Sequence, residues 1–299
     1  MRLIRIPENA WAAVMGLEDV VPGATVRVRR LLGDPCATRT PRLADAEETV
    51  KLPSRLRSPV APPCLWCIGK NYAEHAREFG GDVPERPVVF MKPGSCVVGS
   101  GESVVLPRCQ ENGPEVDYEA ELAVVMGVGP DGTACKDVSV DDALNYVLGY
   151  TCGNDISARH WQKTLGGSQW VRGKSFDTFA PLGPSIVTAR PMVEGDADVI
   201  TDPQALAIAC ELSGETRQYD TTANMFFSVS ELIAFLSQDT TLTPGSVILT
   251  GTPSGVGAAA KPPRFLRDGD HVEVRIERVG TLSNPVCEAS GSGATSASL

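Results

Sequence analysis

Two glutamates one residue apart, Glu119 and Glu121, lie in the run Val116-Asp117-Tyr118-Glu119-Ala120-Glu121-Leu122-Ala123-Val124-Val125. The pattern predicts a β-strand over Val116–Met126. Val116, Tyr118, Ala120 and Leu122 point one way, and Asp117, Glu119 and Glu121 the other. Like charges lined up inside an otherwise apolar segment are costly to bury unless something positive neutralises them. A hard divalent cation would do so, taking oxygen ligands from both glutamates. The bland alternative is a half-exposed strand whose acidic face is solvated.

Other residues could supply acid–base or electrophilic chemistry. In Asn71-Tyr72-Ala73-Glu74-His75-Ala76-Arg77-Glu78, His75 and Glu78 stand three apart, on one helix face. A carboxylate beside an imidazole orients it and raises its basicity, as a general base requires. An ordinary solvated pair has the same spacing. Asp155, in Gly153-Asn154-Asp155-Ile156-Ser157, sits where a strand gives way to a helix, so a plain helix cap is its alternative. Arg159 and Gln162 follow on the helical face nearest Asp155. Gly173-Lys174-Ser175-Phe176 offers a cation in a Gly-flanked, otherwise apolar setting.

Several site types are excluded. There is no G-x-S-x-G nucleophile elbow and no G-x-G-x-x-G opening a helix. Gly251-Thr252-Pro253-Ser254-Gly255-Val256-Gly257 follows a strand, but its proline and missing lysine rule out a phosphate loop. Cys64-Leu65-Trp66-Cys67 lacks the second ligand pair of a zinc site and lies in a strand-like run, so it reads as two reduced strand cysteines.

The elements that must position these residues are mainly strands. Besides Val116–Met126, strands are expected at Met1–Ile6, Ala24–Leu32, Cys64–Ile68, Val88–Met91, Ser103–Leu106, Val147–Cys152, Ser185–Thr188, Ala205–Leu212, Ser246–Leu249 and His271–Ile276. Helices are expected at Ala73–Phe79, Val140–Tyr146, Ser157–Lys163 and Ser230–Gln238. The last opens on a capping box, Ser228-Val229-Ser230-Glu231. Strands in succession with few helices indicate a mixed, mainly β architecture and not a doubly wound sheet. The chain divides into a small N-terminal module and linker (1–60), a catalytic domain (61–287) and a low-complexity tail (288–299) with the composition of a disordered segment. With 299 residues and a 42% hydrophobic share, a sizeable core is available. A net charge of −10 without a Lys/Arg stripe argues against nucleic acid. No apolar run approaches the ~18 residues of a membrane span. Nine scattered cysteines fit a reducing compartment. The first residues read as a strand and not as a signal or presequence. The expected location is therefore the cytoplasm, or the mitochondrion if the source is eukaryotic.

Taken in order, five segments resemble the fumarylacetoacetate hydrolase (FAH) family: Gly69-Lys70-Asn71-Tyr72-Ala73-Glu74-His75, Asp117-Tyr118-Glu119-Ala120-Glu121-Leu122, Gly153-Asn154-Asp155-Ile156-Ser157-Ala158-Arg159, Arg172-Gly173-Lys174-Ser175-Phe176-Asp177, and Leu249-Thr250-Gly251-Thr252-Pro253. The order holds from Cys64 to Val286. Lys261–Asp270 and Gly280–Pro285 are similar to the subgroup containing fumarylacetoacetate hydrolase domain-containing protein 2. The resemblance implies an FAH-type β-roll with a few packed helices, usually dimeric. It implies Mg²⁺ or Mn²⁺ held by Glu119, Glu121 and Asp155, and a His75–Glu78 pair on a mobile lid. Substrate carboxylate and oxo groups would meet Arg159, Gln162, Lys174 and Thr252. Two departures stand out. His160 replaces a common Asp beside Arg159. Ile68 and Gly69 occupy the neighbourhood where the founding hydrolases place a fourth carboxylate, which sets the ligand set at three and argues against fumarylacetoacetate itself as substrate.

Family chemistry runs through an enolate stabilised by the metal and Lys174. C–C bond hydrolysis of a small 2-oxo or 1,3-dioxo acid is the first expectation, with His75 and Glu78 activating water. Oxaloacetate tautomerisation or decarboxylation, which the subgroup resemblance favours, is the alternative, with dioxo-acid isomerisation beside it. A ligand-binding or repurposed member without hydrolase activity is the alternative of another class. The metal carboxylates and the His–Glu pair that catalysis needs are all present. The resemblance implies a small oxo acid as substrate and a second copy of the chain as partner.

Overall fold

The apolar runs pair into one long sheet that crosses the molecule from the N-terminal residues to the site. The computed structural model describes residues 1–16, 20–82, 84–109, 115–167 and 169–289. Along the main sheet the strands run Leu43–Lys51, Thr25–Leu31, Ala10–Val14, Arg2–Ile6, Ala180–Thr188, Val147–Asn154, Ala120–Met126, Val247–Leu249, Leu65–Gly69 and Val88–Lys92. Neighbours are antiparallel except for Leu65–Gly69 beside Val247–Leu249. A five-stranded sheet of Glu215–Thr221, Ala207–Leu212, His271–Ile276, Gly280–Glu288 and Val104–Leu106 is the second layer. The fold is thus mixed and mainly β. Central strands such as Ala120–Met126 and Ala180–Thr188 are buried at every position, so both of their faces are mostly apolar, with Glu121, Ser185 and Thr188 as buried polar exceptions.

Most expected strands are present within a residue or two. The differences have physical causes. The run Val116–Met126 is not continuous: it divides into Val116–Asp117 and Ala120–Met126. Of the expected helix Ser157–Lys163, only the part from Arg159 onward is helical. Ser157–Ala158 pairs with Val116–Asp117 as a two-residue ribbon, and a π-type turn follows at Trp161–Leu165. The ribbon satisfies backbone groups that a helix would have bonded internally. Of Val140–Tyr146 only Ala143–Tyr146 is helical, as a 3₁₀ turn. The helix Val229–Ser237 has the expected capping box. The strands Ala10–Val14, Leu43–Lys51, Glu215–Thr221 and Gly280–Glu288 carry weak alternation and were not expected. Arg2–Ile6 pairs with Ala180–Thr188, so residues 2–51 extend the main sheet as a four-stranded meander. The low-complexity tail lies outside the described residues from 290 onward, and Glu288 still belongs to the last strand. All nine cysteines are free. No helix among the described residues is long and apolar enough to cross a membrane.

Candidate active site

The register of two strands brings the three carboxylates together. Ala120 pairs with Asn154 and Glu121 with Gly153. Continuing that antiparallel register places Glu119 opposite Asp155, on the face that Glu121 shares two residues along. The Asp155 amide donates to the Glu119 carbonyl at 2.9 Å, and the Glu119 amide donates to Asn154 Oδ1 at 3.0 Å. These bonds fix the interruption at Tyr118–Glu119. One oxygen from each of Glu119, Glu121 and Asp155 lies within 4.8 Å of the others. Glu119 is 5% exposed and Glu121 and Asp155 1% each, so the acidic face is buried and not solvated. Nor is Asp155 a helix cap, because Ser157–Ala158 is a strand.

Asp117 departs from the expected acidic face. Its carboxylate accepts from the amides of Gly257 and Ala258 and from Arg159 Nε at 2.8 Å. Arg159 thereby stays anchored without an aspartate at position 160, and its other arm reaches Glu119 at 2.7 Å. Gln162 Oε1 accepts from Arg159 at 3.0 Å, which leaves the Gln162 amide N–H groups to face the cavity.

Lys174 Nζ bridges Glu119 at 2.7 Å and Asp155 at 2.6 Å. Burial works against its charge, but Asp155 and Glu119 outweigh that and raise its pKa. Gly173 lets this segment approach the Trp161–Leu165 turn: a Cβ there would stand 2.5 Å from the Gln162 nitrogen. Sequence reading missed Lys92. It is buried, and its ammonium bonds Asp155, the Ile156 carbonyl at 3.0 Å and the Phe179 carbonyl at 2.6 Å. The available signal was a lysine ending the apolar run Val88–Met91 just before Pro93.

The other wall comes from the parallel pair. Asn71 Nδ2 donates to the Thr250 carbonyl at 2.8 Å, tying the loop after Leu65–Gly69 to the loop after Val247–Leu249. Gly251 has φ +97, and a Cβ would stand 2.6 Å from that of Asn71. Its amide donates to Glu121 at 2.8 Å. Thr252 Oγ1 accepts from Gln218 at 2.8 Å, leaving its own O–H to donate into the cavity. His75 and Glu78 lie on the helix Ala73–Glu78, with His75 Nδ1 3.2 Å from the Glu78 carboxylate. His75 is buried, so the pair is not an ordinary solvated one.

A cavity of about 320 Å³ joins these groups, lined by His75, Glu119, Glu121, Arg159, Gln162, Lys174 and Thr252 together with apolar walls from Ile68, Phe79, Phe90 and Trp170. The sequence-derived site residues therefore converge, with Asp155 held behind Lys174. The donor set suits a hard cation. Burial opposes the charge on Glu119, but Lys174, Arg159 and His75 hold its pKa down. Glu121 is different. It accepts from the Gly251 amide, and no ammonium or guanidinium among the described residues lies within ion-pair distance of it. Burial, then Asp155 and Glu119, push its pKa well up. A divalent cation among the three carboxylates would supply the missing positive charge.

Residues 64–287 match the family described as fumarylacetoacetate (FAA) hydrolase C-terminal. The fumarylacetoacetate hydrolase domain-containing protein 2 homolog of Dictyostelium discoideum is 45% identical over 233 residues, 78% of this chain and 74% of that protein. Oxaloacetate tautomerase FAHD2B, mitochondrial, of Homo sapiens is 39% identical over 288 residues, 91% of this chain and 87% of that protein. The crystal structure of 2-hydroxyhepta-2,4-diene-1,7-dioate isomerase from Mycobacterium marinum aligns with a TM-score of 0.76 at 36% identity, covering 97% of this chain and 100% of that one. With its fold and family match in agreement, this chain belongs to the fumarylacetoacetate hydrolase family of enzymes.

Proposed function

We propose that the protein is a Mg²⁺- or Mn²⁺-dependent tautomerase of small 2-oxo acids, with oxaloacetate as the first substrate to test. The observation that carries this reading is the buried triad Glu119, Glu121 and Asp155 at the cavity, with the charged Lys174 bridging Glu119 and Asp155. The name of the human relative, and of others like it, supports tautomerisation over the C–C hydrolysis that motif reading put first.

Glu119, Glu121 and Asp155 would hold the cation, which when bound acts as a Lewis acid toward the substrate carboxylate and 2-oxo group. Arg159, the Gln162 amide and the Thr252 hydroxyl offer donors to the carboxylate. Lys174 places a fixed positive charge where negative charge grows on the oxo oxygen as a C3 proton leaves. The apolar walls of Ile68, Phe79, Phe90 and Trp170 lower the local polarity and strengthen that interaction. Hydrolysis is the second reading, and His75 favours it: Glu78 orients its ring, and the ring lines the cavity where a water could be activated. A homodimer and a cytoplasmic or mitochondrial setting belong to the same proposal; the human relative is named as mitochondrial.

The test is proton–deuterium exchange at C3 of oxaloacetate, followed by NMR with and without Mg²⁺. Mg²⁺-dependent exchange with the carbon skeleton intact is the expected result. Metal-dependent cleavage of acylpyruvates with no exchange on oxaloacetate would select hydrolysis instead.

A further inference from the structure

Two lysines stand at the cavity with no substrate role assigned. Lys70 lies on the wall that carries His75, in the left-handed conformation at φ +58, and its Nζ would stand 3.4 Å from a Cβ at Gly81. Lys163 lies on the opposite wall, in the turn that carries Gln162, with its ammonium 3.8 Å from the centre of the Phe79 ring. Neither has a salt-bridge partner among the described residues, although both stand in a protein with a net charge of −10. The other cations at the site, Lys92, Arg159 and Lys174, are all paired with carboxylates. Lys163 is exposed enough to move and is close to other positive charge. Burial lowers its pKa, Arg159 lowers it further, and Lys70 adds to the effect against Asp117 and Glu119. Two ammonium groups that line one cavity, neither with a carboxylate partner among the described residues, favour an anion there.

We infer that Lys70 and Lys163 grip the distal carboxylate of a 2-oxo dicarboxylic acid, and so select dicarboxylates over monocarboxylates of the same length. The inference rests on the site reading above: the 2-oxo acid end lies at the triad, which leaves the remote end of the substrate toward these lysines. The Phe79 ring supports Lys163 by a cation–π contact, which holds the ammonium at the cavity without neutralising it.

Binding is measured with a pair of ligands that cannot enolise, 3,3-dimethyloxaloacetate and 3,3-dimethyl-2-oxobutyrate, which differ in a distal carboxylate against a methyl group. The Mg²⁺-loaded protein is titrated through tryptophan fluorescence, since Trp170 lines the cavity. The native protein is expected to prefer the dicarboxylate. Lys70→Met and Lys163→Met should each reduce that preference by about 3- to 10-fold, as for a partly exposed charged hydrogen bond. Lys163→Arg should retain most of it. An unchanged ratio in both methionine variants, or equal weakening of both ligands, overturns the inference. C3 exchange on oxaloacetate is followed in parallel. Loss of ligand preference in the variants of a protein that shows no exchange would uphold the dicarboxylate grip and sink the tautomerase reading alone.

Discussion

Glu78 accepts from the backbone amide of Gly255 at 2.7 Å while its other carboxylate oxygen faces His75. One side chain thus ties the helix Ala73–Glu78 to the loop that follows Val247–Leu249, and orients the imidazole in the same act. If His75 Nδ1 carries the proton shared with Glu78, Nε2 is the free base.

That arrangement makes Glu78→Gln informative. The glutamine carbonyl can still accept from Gly255, but its NH₂ must then face Nδ1, which becomes an acceptor and moves the ring proton to Nε2. We expect a tautomer change in the ¹⁵N NMR signals of His75, stability within about 0.5 kcal/mol of native, and a loss of about 10²-fold in any turnover that uses His75 as base. An unchanged tautomer would show that Glu78 does not set it.

Metal and base roles separate by substitution. Glu121→Gln should abolish Mg²⁺ binding, read by calorimetry, together with all turnover. His75→Ala should bind Mg²⁺ normally and slow C–C hydrolysis by about 10²–10⁴-fold, while Mg²⁺-dependent enolisation survives. Equal loss of metal affinity in the two variants would mean that His75 has been misassigned.

Lys174→Met tests the bridge. It removes the cation that Glu119 and Asp155 share but leaves them Arg159 and Lys92, so the cost should stay below the about 3–5 kcal/mol of a buried charge left wholly unpaired. The metal-free variant should unfold at lower denaturant concentration than the native protein, and added Mg²⁺ should recover part of the difference. C3 exchange should fall more than in His75→Ala if tautomerisation is the reaction. Unaltered exchange and stability would remove Lys174 from enolate stabilisation.

Metal removal should also be visible without any substrate. A saturating cation, at about 100 times its dissociation constant, stabilises the fold by about 2.7 kcal/mol, which is about 5 °C in melting temperature for a chain of this size. EDTA-treated protein should show the lower transition, and Mg²⁺ should restore it. Glu121→Gln should melt at one temperature in either buffer. A metal-dependent shift that persists in that variant would place the cation elsewhere.

The local signals were strong wherever residue type and spacing were themselves the constraint. Glu119 and Glu121 declared a shared face because a strand has period two, and Ser228 with Glu231 declared a helix start. What could not be read was set by partners far along the chain. Asp117 looked like a third member of the acidic face, but amides of Gly257 and Ala258 draw it away. Ser157–Lys163 had helical spacing, but Val116–Asp117 claims its first two residues as a strand. Lys92 was overlooked because a lysine at a strand end ordinarily reaches solvent; here two backbone carbonyls and Asp155 receive it inside. Family likeness supplied the joining of Asp155 to the glutamates, which no single segment states.

The pairing of Leu65–Gly69 with Val247–Leu249 joins segments far apart along the chain. The bond from Asn71 to the Thr250 carbonyl spans 179 residues, and the Gly251 amide meets Glu121 across 130. Such contacts require most of the chain to be present and its loops closed before they can form. On a ribosome, the segments bearing Glu119, Glu121 and Asp155 emerge well before the loop that holds Glu121. The Gly251 amide can therefore reach Glu121, and the wall beside Cys67 be completed, only after about 130 further residues have been made.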